Sequence, residues 1–292
     1  MEKIGIVTDE GADLPQEIIE KNRIAVVPVK LDWPEIENLP GDNTFQKMRE
    51  LEKKGIKSFG KTSQPSPKNF LDKYKELLGQ FEKIICITLT SIHSGTYNSA
   101  IQGKNFLTEE EQKRVFVVDS LNASASEALT VLKAVDLVSR GKEAEETVKE
   151  LEDFVNRISF FVITEDPKWL EASGRISSLV ANLMRRLAKA GIIPLLTFKK
   201  GKLKPTVFKA NTNDIPTVLF RKFKNDIEKF KKEGKKIRAV ITHGDDLESA
   251  RRLKEMIEKE FKNSQVVFLN IIDNVIGAIT GPNTLVLAWA EI

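Results

Sequence analysis

Cysteine occurs once and histidine twice among the 292 residues of this chain, and neither supports the chemistry usually built from it. A lone cysteine closes no internal disulfide. Cys86 lies in the apolar run Ile84-Ile85-Cys86-Ile87, a poor place for a thiolate, so it reads as a buried structural residue. His93 and His243 are far apart and no CxxC or HExxH pairing exists, so a zinc site lacks its usual ligands. Long apolar runs are missing too, none approaching the ~20 residues that span a bilayer. Neither a GxxxxGK[ST] loop nor a GxGxxG fingerprint occurs, which leaves a nucleotide without its phosphate cradle. Aromatic stacking platforms are also absent. The basic runs at 199–202, 221–224 and 229–236 are interleaved with acids, and they read as solvated helix faces rather than a nucleic-acid surface.

What is present is a globular composition, 41% hydrophobic and 30% charged. The net charge of +4 is a small surplus of 46 basic over 42 acidic residues. The length suits two domains. The opening segment 1–7 reads as a strand rather than a secretory leader, and with no disulfide signature the expected location is cytoplasmic.

The first half alternates apolar runs with helical patterns, the signature of a parallel α/β sheet. Strands are expected at 4–8, 24–29, 83–90 and 115–118, with Pro28 confining the second to an edge or an irregularity. Asp13, three residues before Gln16, reads as a helix N-cap. Ser66-Pro67 reads as N-cap and first residue of a helix running to Leu78, with Gly79 behind it. Further helices are expected at 44–54, from Thr96, and at 123–139, and the segment 31–41 as an excursion. A charged helix at 143–156 marks a change of pattern. Beyond it, 192–198 and 203–209 flank Lys199-Lys200-Gly201-Lys202 as a β-hairpin. Helices at 178–190, 214–233 and 246–261 and strands at 237–242, 265–271 and 284–290 complete a mixed sheet. The expected fold class is therefore α/β with two domains, 1–157 mainly parallel and 158–292 mixed.

Three strand ends finish in polar residues: Thr8-Asp9, Thr90-Ser91 and Asp119-Ser120. Open parallel sheets bind ligands beyond the carboxyl ends of their strands. Asp and Ser at such places also cap the turns and helices that follow. Asp9-Glu10 beside a phosphate would suit magnesium, but turn capping is the simpler role. Two hydroxyl-rich loops adjoin these ends: Lys61-Thr62-Ser63-Gln64-Pro65-Ser66 and Ser91-Ile92-His93-Ser94-Gly95-Thr96-Tyr97. The second falls where a strand hands over to a helix, a natural seat for an anion.

Ser94 as a nucleophile lacks support, because position 92 is Ile where GxSxG needs Gly, and His93 directly before it points the other way. His243, at a strand end in the second domain, reads as a hydrogen-bonded terminal residue. What remains is a grip without machinery, in which Thr62 and Ser94 donate from hydroxyls and Gly95 and Thr96 from N–H groups. No catalytic, metal or cofactor residue is assigned. A serine-dependent hydrolase using Ser94 and a module for another small acid are the alternatives.

These motifs resemble the DegV family, bacterial fatty-acid-binding proteins. The resemblance runs nearly end to end, through Thr8-Asp9-Glu10-Gly11-Ala12-Asp13-Leu14-Pro15, the Thr62-Ser63-Gln64-Pro65-Ser66 and Ser94-Gly95-Thr96-Tyr97 motifs, Val117-Val118-Asp119-Ser120, Gly174-Arg175-Ile176-Ser177 and Thr280-Gly281-Pro282. It implies a long-chain fatty acid in a tunnel between two α/β domains, its carboxylate held by Thr62 and Ser94 with Gly95 assisting. Thr96, Arg175, Ile279 and Thr280 would lie nearby. It also implies a non-catalytic carrier role beside a separate ATP-dependent fatty acid kinase subunit. Two departures bear on that role. Ile279 stands where the family usually has histidine, with Asn283 in place of the following glycine. The segment Phe208-Lys209-Ala210-Asn211 lacks the family's arginine, leaving Arg175 as the expected nearby positive charge.

Overall fold

The computed structural model describes residues 2–208, 212–232 and 235–292; Lys209, Ala210 and Asn211, where the arginine is missing, lie outside the described residues. Contacts divide the chain into two compact units. The first holds Met1–Lys30, Thr62–Ile158 and Lys200–Lys202, and the second holds Leu31–Lys61, Ser159–Lys199 and Leu203–Ile292. The chain changes unit inside two short paired strands, β3 (Lys30–Asp32) and β4 (Lys61–Ser63).

The first unit is built on a four-stranded sheet. Its strands are β1 (Glu2–Asp9), β2 (Ala25–Val27), β5 (Phe81–Thr88) and β6 (Val115–Asp119), in the order β2-β1-β5-β6 and all parallel. β2 is an edge strand that ends just before Pro28, as a residue without a ladder donor requires. Successive residues of β5 serve opposite layers. Ile84 and Cys86 join Phe70, Tyr74, Leu77 and Ala100 on one face, while Ile85 and Ile87 join Val131, Ala134, Leu137 and Leu151 on the other. The helices Pro67–Leu78 and Thr96–Asn105 therefore cover one face, and Ala125–Ser139 and Ala144–Phe154 cover the other. Burial pushes the Cys86 thiol up to about 12, as expected of a structural cysteine.

The second unit carries six strands, β7 (Ser159–Ile163), β8 (Pro194–Lys199), β9 (Lys202–Val207), β10 (Ile237–His243), β11 (Ser264–Ile271) and β12 (Leu285–Glu291). Their order is β11-β10-β12-β7-β8-β9. β10 and β11 are parallel, whereas β12 runs antiparallel to both β10 and β7, giving the expected mixed sheet. β8 and β9 are neighbours joined through Lys200 and Gly201, whose φ values of 50° and 74° make the tight turn. Trp289 anchors the core, stacked on Phe161 at 5.4 Å and edge-on to Phe223 at 5.1 Å. Phe223 belongs to the basic run 221–224, whose Lys222 and Lys224 pair with Asp226 and Glu260 on the helix surface.

One expectation needs correction, and one helix was missed. Asp13 is not the N-cap of the helix Gln16–Lys21, which Pro15 precedes without a side-chain cap. Asp13 instead closes a 3-10 turn with φ 50°, and its carboxylate accepts a bond from the Ser124 hydroxyl. The helix Asn274–Thr280 was not legible, since its Val, two Ile, Thr and Gly are weak helix formers. It forms because Asp273 caps the N–H groups of Val275 and Ile276, and because Gly277 packs against the Phe45 ring.

After that helix Gly281 adopts φ 87°, and a Cβ there would overlap the Trp169 indole. Gly281→Ala should destabilise the protein by about 2–4 kcal/mol, from left-handed strain added to overpacking. Urea unfolding followed by tryptophan fluorescence measures it, and an unshifted midpoint would refute the account.

Candidate functional site

The polar strand ends of the first unit gather as the sequence suggests, and they are tied to one another. β5 is an inner strand between β1 and β6, so its continuation, residues 89–94, runs beside the ends of both. Once the ladder stops, each backbone N–H there needs another acceptor. Leu89 donates to the Asp9 carboxylate at 3.0 Å, Thr90 to the Asn122 carbonyl at 2.7 Å, and Ser91 to Asp119 at 3.3 Å. Ile92 donates to the Thr90 hydroxyl at 3.4 Å, and His93 and Ser94 to the Thr90 carbonyl, each at 3.3 Å. The Thr90 hydroxyl itself donates to the Gly201 carbonyl at 3.0 Å.

The accounting changes at Gly95. This residue precedes the helix Thr96–Asn105 and offers no side-chain cap. The N–H groups of Gly95, Tyr97 and Asn98 meet no acceptor among the described residues. Donors left over in a first helical turn, with the positive end of the helix dipole behind them, favour an anion. The Ser94 and Thr96 hydroxyls lie 2.8 Å apart, and Thr96 N–H donates to Ser94 Oγ at 3.3 Å. Ser94 is thus paired with a threonine hydroxyl rather than with a base.

The other hydroxyl loop reaches the same helix. Thr62 is half-buried on β4, and Gln64, two residues on, donates from its amide to Ser99 at 3.3 Å. The Gln64 amide occupies the space a Cβ on Gly95 would need. This joins the two loops, which sequence alone left as neighbours by inference. Thr62, Ser94, Gly95 and Thr96 all belong to the first unit.

Arg175, Ile279 and Thr280 belong to the second. Arg175 is half-buried, donates to the Ser173 carbonyl at 2.6 Å, and has its pKa lowered by desolvation. Ile279 is buried on the helix Asn274–Thr280, and the Thr280 hydroxyl donates to the Ile276 carbonyl at 2.9 Å. His243 ends β10 with Nδ1 accepting from Asp246 N–H at 3.1 Å, and burial lowers its pKa. Asn283 adopts φ 56°, which explains why a glycine suits that position and why asparagine can replace it. Its amide accepts from Arg49 at 2.8 Å and donates to Glu165 at 2.7 Å.

The sequence reading missed Glu127, a fully buried acid on the helix Ala125–Ser139. Thr8 donates to its Oε1 at 3.2 Å, and Oε2 has no partner among the described residues. Desolvation, and then the charge of Asp9, push its pKa well above the ordinary 4.5. No periodicity signals such a residue, because helix Ala125–Ser139 is buried all round at its start, polar Ser126 and Thr130 included.

The folds define a two-unit α/β protein in which the helix Thr96–Asn105 starts without a side-chain cap beside polar strand ends. The chain belongs to the DegV family: the family described as "Uncharacterised protein, DegV family" matches residues 3–291. A DegV domain-containing protein of Clostridium perfringens is 31% identical over 294 residues, covering 100% of this chain and 99% of that relative. Among solved structures, the chain resembles a Thermus thermophilus DegV family protein described by its fatty acid binding, with TM-score 0.82, 24% identity and coverage of 99% and 100%. It also resembles a stearic-acid-binding protein of Eubacterium ventriosum, with TM-score 0.80, 22% identity and coverage of 100% and 98%.

A raised carboxyl pKa means that the folded state holds its proton more tightly than the unfolded state. Glu127 therefore supports stability below its ordinary 4.5, and that support is lost as pH rises through the folded value. Glu127→Gln should flatten this decline, so the variant gains on the wild type as pH rises from about 5 to about 8. Urea midpoints across that range check it, and parallel curves would refute a buried neutral acid.

Proposed function

We propose that this protein binds a long-chain fatty acid, its carboxylate taken by the hydroxyls of Thr62 and Ser94 and the N–H of Gly95. The observation that carries the reading is the accounting of residues 89–98. Each N–H from Leu89 to Ser94 has an internal acceptor, and the first without one among the described residues, on Gly95, stands next to the Ser94 hydroxyl at a helix N-terminus. The Ser94–Thr96 pair suits the task. An anion selects the arrangement in which Thr96 donates to Ser94 and Ser94 donates outward, a chain in which each bond polarises the next. The family relatives described by their fatty acid binding supply the ligand class.

A carboxylate gripped this way makes charge-assisted bonds, shorter and stronger than neutral ones. Within the first unit, hydroxyls and N–H groups would meet the acid's charge. Presentation of the bound acid to an ATP-dependent fatty acid kinase subunit is the second half of the proposal. Acyl-phosphate formation from loaded protein, such a subunit and ATP tests that half separately.

Denaturing the purified protein should release a long-chain acid identifiable by mass spectrometry, and lipid-free protein should rebind it. No measurable affinity for palmitic or stearic acid would sink the reading. In the double variant Thr62→Val/Ser94→Ala, each lost bond should weaken binding by about 1.5–3 kcal/mol. Unchanged affinity would move the carboxylate elsewhere.

A further inference from the structure

We propose that Asp9 and Asp119 are positioning residues for the acid grip: their carboxylates hold the backbone that delivers Ser94 and Gly95. The inference rests on the reading of Ser94 and Gly95 as carboxylate ligands. Each aspartate ends a strand flanking β5 and makes two kinds of bond. One kind is local: Asp9 accepts from Gly11 N–H at 2.9 Å, and Asp119 from Leu121 N–H at 2.8 Å. Those bonds are the ordinary capping that strand-terminal aspartates perform. The other kind crosses to the β5 continuation, Asp9 to Leu89 N–H at 3.0 Å and Asp119 to Ser91 N–H at 3.3 Å.

The crossing bonds have no local purpose. They clamp alternate residues, 89 and 91, from opposite sides, and the Thr90 N–H between them is taken by Asn122, three residues past Asp119. The Thr90 carbonyl, fixed by this arrangement, then accepts from both His93 and Ser94 and turns the chain into the helix. The loop's geometry is thus set by two acids that act through Leu89 and Ser91. Negative charge this near an anion seat would oppose the ligand if it were bare; here N–H dipoles offset part of it.

Asp119 is half-buried and can be changed more safely than Asp9, which is fully buried. Asp119→Ala removes the clamp, whereas Asp119→Asn keeps an acceptor oxygen. With lipid-free protein, Asp119→Ala should weaken stearic acid binding by at least about tenfold, and Asp119→Asn should restore most of the loss. Affinity for octadecanol, which has the same chain and no carboxylate, should stay level, since loosening of the whole unit would weaken both ligands alike. In a Ser94→Ala background the Asp119→Ala penalty should shrink, because the group being positioned is already gone. Equal losses for acid and alcohol, or full additivity with Ser94→Ala, would overturn the proposal. Amide hydrogen exchange without ligand separates it from the reading on which it rests. Asp119→Ala should speed exchange at residues 91–95 while the middle of β5 stays protected, and an unchanged loop would refute positioning whatever the protein binds. If the wild type binds no fatty acid, the functional reading falls, while faster exchange would still establish the clamp.

Discussion

A strand that outruns its ladder must find acceptors for its N–H groups, and the candidate site depends on how β5 meets that demand. Residues 89–94 are served by Asp9, Asn122, Asp119 and Thr90, a set drawn from the ends of β1 and β6 and the loop itself. Leaving a buried N–H unpaired costs about 1–3 kcal/mol, so this stretch has little freedom to move. Its rigidity brings Ser94 and Gly95 to the head of a helix with donors to spare. The polar residues that look like ligands at the ends of β1 and β6 are largely occupied in making that stretch rigid.

Much of this was legible in the sequence. The unbroken apolar run 84–87 announced a strand buried on both faces, and the Ser66-Pro67 start and Gly79 end marked a helix that runs from Pro67 to Leu78. These are local signals with local causes. Asp13 misled because the same side chain suits an N-cap and a turn, and its partner Ser124 is remote in sequence. The helix Asn274–Thr280 was hidden for the opposite reason, since its weak intrinsic propensity is overridden by the Asp273 cap and Phe45 packing. In the site, residue types pointed to Thr62, Ser94 and Gly95. The role of Gln64 as the group filling the space beside Gly95 required a contact between residues thirty-one apart.

The two departures from the family pattern differ in kind. Asn283 replaces a glycine at a left-handed position that asparagine tolerates, and its amide gains bonds to Arg49 and Glu165, so that exchange is locally compensated. Ile279 for histidine is not compensated in this way. It packs as a buried apolar residue and gives up both a charge and a hydrogen-bond donor. The first change is met by new polar bonds, and the second by apolar packing alone.

The scarcity of cysteine and tryptophan has a practical side. The one cysteine, Cys86, is buried in the first unit, and all three tryptophans, Trp33, Trp169 and Trp289, fall in the second. The unaltered protein therefore carries two separate reporters. Thiol labelling is silent until the first unit opens, and indole emission follows the second unit alone. Whether the halves open together or in sequence can be timed in one sample, with no dye attached beforehand and no residue replaced.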